Sequence, residues 1–259
     1  MLDWANIDTV LLDMDGTLLD LHFDNYFWLE HLPKRWSEIS GISTAEAKAQ
    51  LKAEYDVLQG KLDKVFGLGT VRHAADIIDD GKYAPAAELF ALREPDALAV
   101  SADGRYLVSA DEGDTDPKIA KTKAGLPSGG GRTVSVFDAM SGKLLGDTGS
   151  QLDDMAAQAG VYPDARSPNK GSEPEGVVSF DAFGKRLAVA TLERADALAL
   201  IDLDQAEQPK VLQVVGAGEG AGSGNLAPEG LAHVEREGRH FLVTGLEKSG
   251  NVAVFELLK

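Results

Sequence analysis

Asp13 and Asp15 stand two residues apart in the run Asp13-Met14-Asp15-Gly16-Thr17-Leu18, directly after the apolar stretch Thr9-Val10-Leu11-Leu12. In a strand the side chains at i and i+2 share a face, so both carboxylates can meet one ligand at the strand's C-terminal end. Two carboxylates side by side need a cation, and Mg²⁺ suits them because it takes hard oxygen ligands and bridges to phosphate. A carboxylate held beside that ion can attack phosphorus and form an aspartyl-phosphate. Its neighbour can then act as general acid to the leaving oxygen and as base to water. Gly16 lets the backbone turn close to a phosphate, and the Thr17 hydroxyl can donate to a phosphoryl oxygen. The structural alternative is an exposed Asp-Gly turn that ends a strand.

A second set of acids is set out by a repeat. Its units begin Pro95-Asp96-Ala97, Pro174-Glu175-Gly176 and Pro228-Glu229-Gly230. Each continues with a strand-like run, a glycine-containing turn, a second run and a further acid: Glu112, Glu193 and Glu247. The midpoints of Asp96/Glu112, Glu175/Glu193 and Glu229/Glu247 fall on Gly104, Gly184 and Gly238. Hairpins folded at those glycines would set the acids of each pair opposite one another, which costs up to about 1 kcal/mol for like charges. A shared cation such as Ca²⁺, with oxygen ligands gathered from several hairpins, would offset that cost. Screening on a wet rim, or pairing with Arg194 and Lys248, would offset it too. His22, His31, His73, His233 and His240 show no spacing that builds a metal site and read as ordinary surface or core histidines.

The elements that must carry these residues differ along the chain. After the first apolar run comes a long helix-compatible stretch from about Phe23 to Leu62, with Ser43-Thr44 ahead of Ala45-Glu46-Ala47 as a helix start. From about residue 94 onward, short alternating runs recur between turn-forming clusters: Ala97 to Ser101, Tyr106 to Ala110, Thr133 to Phe137, Val177 to Phe180, Leu187 to Thr191, Leu198 to Ile201, Leu231 to Val234, Phe241 to Thr244 and Val252 to Phe255. These read as antiparallel strands. The first repeat unit holds an insertion in the Gly/Lys/Asp-rich stretch from Gly113 to Gly131, with the composition of a loop. The chain of 259 residues has no cysteine and a net charge of −17, which excludes sulfur redox chemistry and makes nucleic acid and anionic membranes unfavourable partners. Its start has no basic region ahead of an unbroken apolar core, so a cytoplasmic setting is expected.

The stretch TVLLDMDGTLLDLHFDNYFWLEHLP resembles the opening of the haloacid dehalogenase-like hydrolases, in particular their purine mononucleotide phosphatases, with Phe23 to Asp63 in the place of a helical cap. The resemblance implies that Asp13 is a nucleophile, Asp15 an acid/base and Thr17 a phosphate ligand, with Mg²⁺ as cofactor and a nucleoside monophosphate as substrate. It also implies a Ser or Thr on a second strand, a phosphate-neutralising Lys and a further acidic pair. The nearest downstream candidate, Gly146 to Ala157, has acids six apart where four is usual, and reads as coincidental.

The stretches EPDALAVSADGRYLVSADEGD, GGGRTVSVFDAMSGKLL, DARSPNKGSEPEGVV and GLEKSGNVAVFEL resemble a family of bacterial β-propellers of the choice-of-anchor, alkaline-phosphatase-like type. The Pro-Glu-Gly motif is similar also to the esterase-like phytases. The reading is therefore an α+β composite: a short α/β hydrolase-like fragment of one strand plus cap helices at 1–64, a junction at 65–93, and a partial antiparallel propeller of about three blades at 94–259, near 94–146, 173–215 and 227–259. Three blades leave open edges, through which the chain can self-associate. The expected activity is Mg²⁺-dependent phosphomonoester hydrolysis, with the catalytic set incomplete. The alternatives are a non-catalytic binding module with an acidic Ca²⁺ channel, and a rearranged or truncated chain without native function.

Overall fold

The computed structural model describes residues 26–53, 70–85, 87–113, 121–122, 130–218 and 226–259. The chain divides into two compact units, Met1–Lys61 and Leu62–Lys259. The strand expected at Thr9 to Leu12 and the residues Asp13, Asp15, Gly16 and Thr17 lie outside the described residues.

Helices make up the described part of the first unit. A π-helical turn, Phe27–His31, leads into α1, Leu32–Ser40, with proline in its first turn. Gly41 stops α1 at φ 67°, in the left-handed conformation that glycine adopts without steric cost, and its N–H closes onto Ser37 O at 2.9 Å. The next helix, α2, covers 44–53. Its start is the capping box that Ser43 and Glu46 suggest: the Glu46 N–H donates to Ser43 Oγ at 3.2 Å, and the Ser43 N–H donates to Glu46 Oε2 at 2.9 Å. Trp36 Nε1 donates to Gln50 Oε1 at 3.1 Å and ties the two helices together.

The second unit is built from antiparallel sheets. β1 (Thr70–Ala75), β2 (Ala87–Leu92) and β5 (Lys121–Thr122) form the first, in the order β1-β2-β5. β3 (Pro95–Val100), β4 (Tyr106–Asp111), β6 (Thr133–Asp138) and β7 (Leu144–Asp147) form the second. β8 (Pro174–Ala182), β9 (Lys185–Leu192), β10 (Ala197–Asp202) and β11 (Lys210–Gly216) form the third, and β12 (Pro228–Arg236), β13 (Arg239–Leu246) and β14 (Asn251–Leu257) the fourth. The helix α3, Gln151–Gln158, follows β7 and lies against β11. The sheets are open, and no closed barrel occurs among the described residues. No helix of the described residues is long and apolar enough to cross a membrane.

The third sheet is buried on both faces. One face packs Ala188, Ala190 and Ile201 against Val108 and Val134 of the second sheet and Leu152 of α3. The other sets Phe180, Val189 and Leu198 against Leu242 and Leu246 of the fourth. A strand covered on both faces needs apolar residues at nearly every position, which is why Leu187 to Leu192 reads as a continuous run. The first strands of the second, third and fourth sheets are neighbours, with β8 between β3 and β12.

The first sheet falls where the sequence suggests only a junction and a loop. β1 alternates Val71, His73 and Ala75 inward with Arg72 and Ala74 outward, a pattern that a charged and an imidazole side chain obscure. β2, Ala-Glu-Leu-Phe-Ala-Leu, is composed largely of good helix formers, and pairing with β1 overrides that propensity. The insertion after Gly113 is not a loop throughout, because Lys121 and Thr122 return to pair with Phe90 and Leu89.

Candidate functional site

Each repeat unit opens on the same backbone device. Glu94, Glu173 and Ala227 precede the three prolines and sit at φ 41°, 58° and 59°, in the left-handed region that costs a side-chain-bearing residue about 1–2 kcal/mol. Backbone bonds hold them there: the Glu193 N–H donates to Glu173 O at 2.9 Å, and the Glu247 N–H to Ala227 O at 2.9 Å. Directly after each proline the strand bulges, between Pro95 and Ala97, Pro174 and Val177, and Pro228 and Leu231. Proline has no N–H to contribute to the ladder, so a bulge beside it sacrifices little.

These bulges correct the pairing that the glycine midpoints imply. The β8–β9 turn is the two residues Phe183 and Gly184, at φ 53° and 76°, so Ala182 pairs with Lys185 and the hairpin centre falls half a residue before Gly184. With the bulge added, Leu192 faces Pro174, and Glu193 reaches the backbone of Glu173 instead of facing Glu175. Asp96 and Glu112 are likewise not directly opposed, since Pro95 faces Asp111. In the fourth sheet Pro228 faces Leu246, which displaces Glu229 and Glu247 in the same way.

The acids nevertheless converge, between sheets more than within hairpins. One oxygen from each of Glu112, Glu173 and Glu175 lies within 4.8 Å of the others. The carboxyls of Glu175 and Glu193 are near neighbours, and the charge of Glu193 disfavours ionisation of Glu175. Burial, then the neighbouring Glu193 and further acids, push the Glu175 carboxyl well above the usual carboxylate range. Burial also raises Glu193 and Glu112. Asp96 is exposed, and its charge adds to the upward push on Glu112 and Glu175. Basic groups ring the cluster: Lys170 Nζ is 2.7 Å from Glu112, Arg166 and Arg194 reach Glu173 at 2.5 and 3.0 Å, and Arg194 reaches Glu193 at 2.5 Å.

Close approach of backbones makes this convergence. A Cβ on Gly176 would stand 2.2 Å from the carbonyl oxygen of Glu229, so only glycine lets β8 pass the start of β12 there. Thr191 Oγ1 bridges the two strands, accepting from the Gly176 N–H at 2.7 Å and donating to Glu229 O at 3.0 Å. The carboxylates of Glu229 and Glu247 do not join the three-acid group. Glu173 is the member that sequence reasoning missed. The corresponding positions hold Glu94 and Ala227, so only its place before the repeated proline marks it.

Two of the acids between Gly146 and Ala157 serve buried arginines, while Asp154 accepts from the Tyr83 hydroxyl at 2.6 Å. Asp147 accepts from Arg93 at 2.8 Å, and Asp153 from Arg132 at 3.2 Å. Arg93 also donates to Ser135 Oγ at 2.7 Å and lies 3.8 Å from Asp111. Asp111 is fully buried and accepts from Ser109, Thr133 and Ser135, and burial outweighs those bonds enough to raise it to about 6. The network cross-links strands, and none of its acids joins the Glu112 group.

Comparison with known proteins finds two partial likenesses. Residues 121–206 match the choice-of-anchor I domain, a stretch that includes Glu173, Glu175 and Glu193. Over 60 residues the chain is 48% identical to the GMP/IMP nucleotidase YrfG of Escherichia coli (strain K12), and to that of Shigella flexneri by the same measure. That likeness takes in 23% of this chain and 27% of the nucleotidase, so the chain spans about a quarter of the relatives it matches. Among solved structures, a putative 6-phosphogluconolactonase from Bacteroides fragilis aligns with 73% of this chain and 49% of its own, at 14% identity and a TM-score of 0.35. A functionally unknown protein from Desulfotomaculum acetoxidans aligns at 12% identity and a TM-score of 0.29, over 73% of this chain and 70% of its own.

Proposed function

We propose that the unit Leu62–Lys259 is a cation-binding module, a partial propeller of the choice-of-anchor type, in which Ca²⁺ is held by Glu112, Glu173 and Glu175. The observation that carries this reading is the approach of those three carboxylates to within 4.8 Å of one another. The donor set fits the ion: all ligands are hard oxygens, drawn from strand ends that can adjust, and Ca²⁺ accepts irregular oxygen shells where Mg²⁺ demands an octahedron. Glu193 and Asp96 lie beside the set and supply further negative charge, while Lys170 and Arg194 must turn aside as the ion enters. Binding to the folded form alone stabilises it by about 2.7 kcal/mol at a hundred times Kd. A thermal melt with and without Ca²⁺ tests this. The midpoint rises with Ca²⁺ in the native chain and is unmoved in Glu175→Gln, whereas a native chain indifferent to Ca²⁺ refutes the reading.

A second reading, phosphomonoester hydrolysis in a cytoplasmic setting, is favoured by the 48% identity with a GMP/IMP nucleotidase. On this reading Asp13 attacks the phosphorus of a nucleoside monophosphate and Asp15 protonates the leaving oxygen, then takes a proton from the attacking water. Gly16 and Thr17 bind the phosphoryl oxygens, and Mg²⁺ would be held by Asp13 and Asp15. Without an assigned lysine or second acidic pair, the developing charge is poorly stabilised and turnover should be slow. Phosphate release from GMP and IMP decides the matter: slow release that disappears in Asp13→Asn supports the reading, and equal, negligible rates dispose of it.

A further inference from the structure

His233 on β12 and His240 on β13 are seven residues apart in sequence, yet the hairpin brings their rings together. His233 Nε2 lies 3.1 Å from His240 Nδ1, with ring centroids 5.3 Å apart and planes inclined by 16°. The cross-strand register pairs Glu235 with His240 and His233 with Leu242, so His233, Glu235 and His240 occupy one face of the hairpin. Arg239 belongs to the opposite face, where it lies 4.9 Å from the ring centroid of Phe241 and donates to both carboxylate oxygens of Glu256.

We propose that His233, His240 and Glu235 form a site for a borderline divalent transition metal ion such as Zn²⁺, separate from the carboxylate cluster. Two nitrogens each about 2.0–2.1 Å from one zinc ion stand roughly 2.9–3.4 Å apart as the angle between them goes from a right angle to tetrahedral. The 3.1 Å separation falls inside that interval, so the ion can replace the single proton between the rings with little backbone movement. Aromatic contacts hold the rings in place beforehand: Phe180 stacks on His233 at 3.8 Å and 6°, and Phe183 meets His240 edge-on at 5.3 Å and 73°. His240 is buried and His233 is partly so, which fixes both rings within the packed hairpin. Glu235 is exposed and stands directly across the ladder from His240, the position from which a third ligand would come. Two imidazoles and a carboxylate select zinc, copper or nickel over calcium or magnesium, and leave a position open for water or a small ligand.

The test uses the full chain, freed of metal and titrated with Zn²⁺ at pH 7 by calorimetry, and separately with one equivalent of Cu²⁺ by electron paramagnetic resonance. One tight Zn²⁺ equivalent is expected, weakened roughly ten-fold or more in His233→Gln and in His240→Gln and less in Glu235→Gln, with Glu175→Gln unchanged. The Cu²⁺ spectrum should carry coupling to two nitrogens in the native chain and lose it in His233→Gln. His240 is buried and its variant can fail to fold, so the native spectrum and the His233 variant decide. Oxygen-only coordination in the native chain, or equal zinc affinity in His233→Gln, overturns the proposal. Loss of Zn²⁺ affinity in Glu175→Gln alone overturns it as well, by placing the ion in the carboxylate cluster.

Discussion

His73 is buried on the inner face of β1 with neither ring nitrogen hydrogen-bonded among the described residues, and burial, then Arg132 and Arg93, hold its pKa down at about 3. An unfolded chain takes up this proton near 6.5, whereas the native chain waits until about 3, so the stability from a neutral His73 is complete above 6.5 and drains away as pH falls. Between pH 7 and pH 4 that loss is about 3 kcal/mol. Urea unfolding at the two pH values should show it in the native chain and not in His73→Gln. Glu175 and Glu193 act with the opposite sign. Their folded pKa values lie above the unfolded 4.5, so their contribution is complete in acid and is lost as pH rises, for Glu175 between 4.5 and about 9. Relative to the native chain, Glu175→Gln should gain stability as pH goes from 5 to 8, which the same unfolding curves measure.

At the scale of the element, the proline-led bulge is the recurring part. It interrupts the β3–β4, β8–β9 and β12–β13 ladders, and in β8 the acid that follows, Glu175, meets Glu112 at the end of β4. Gly176 and Gly184 separate the two uses of glycine in such a hairpin. At Gly184 the φ of 76° is the constraint and the space around it is open, so Gly184→Ala should cost about 1 kcal/mol. At Gly176 the obstacle is a backbone oxygen 2.2 Å from the would-be Cβ, which β12 can escape only by moving off β8. Gly176→Ala should therefore cost about 3 kcal/mol. It should also blunt the thermal response to Ca²⁺, while Gly184→Ala leaves that response intact. Differential scanning calorimetry of both variants reads the contrast.

Across the whole molecule, the division at Lys61 and Leu62 sets the helical unit apart from the sheets. The second, third and fourth sheets hold one another through shared faces, the third covered on both sides. The first sheet is fastened to the second by Arg93, and Arg132 ties the end of β1, through Asp76 O, to Ser167 O and Asn169 O. A chain beginning at Leu62 should thus melt as cooperatively as the sheet-rich unit of the full chain, with a midpoint within a few degrees. A chain beginning at Glu94, which deletes β1 and β2 and leaves Arg132 without its Asp76 contact, should melt markedly lower. Circular dichroism melts of the two truncations measure this difference.

Local signals determined much of this protein. Alternation marked the strands of the repeat, Ser43 and Glu46 marked a helix start, and Gly184 and Gly238 marked hairpin turns, because each depends on residues a few positions apart. Asp13 and Asp15 were singled out on the same ground, as two carboxylates two residues apart, and they lie outside the described residues. Tertiary structure decided the rest. β2 is made of helix formers and becomes a strand only when β1 offers it an edge, and Glu173 joins Glu112 across sixty residues of chain. His233 and His240 carry no metal spacing until a hairpin sets their nitrogens 3.1 Å apart. Periodicity records which face a side chain takes; a ligand set depends on distances through space, and a single bulge shifts those distances without altering the periodicity.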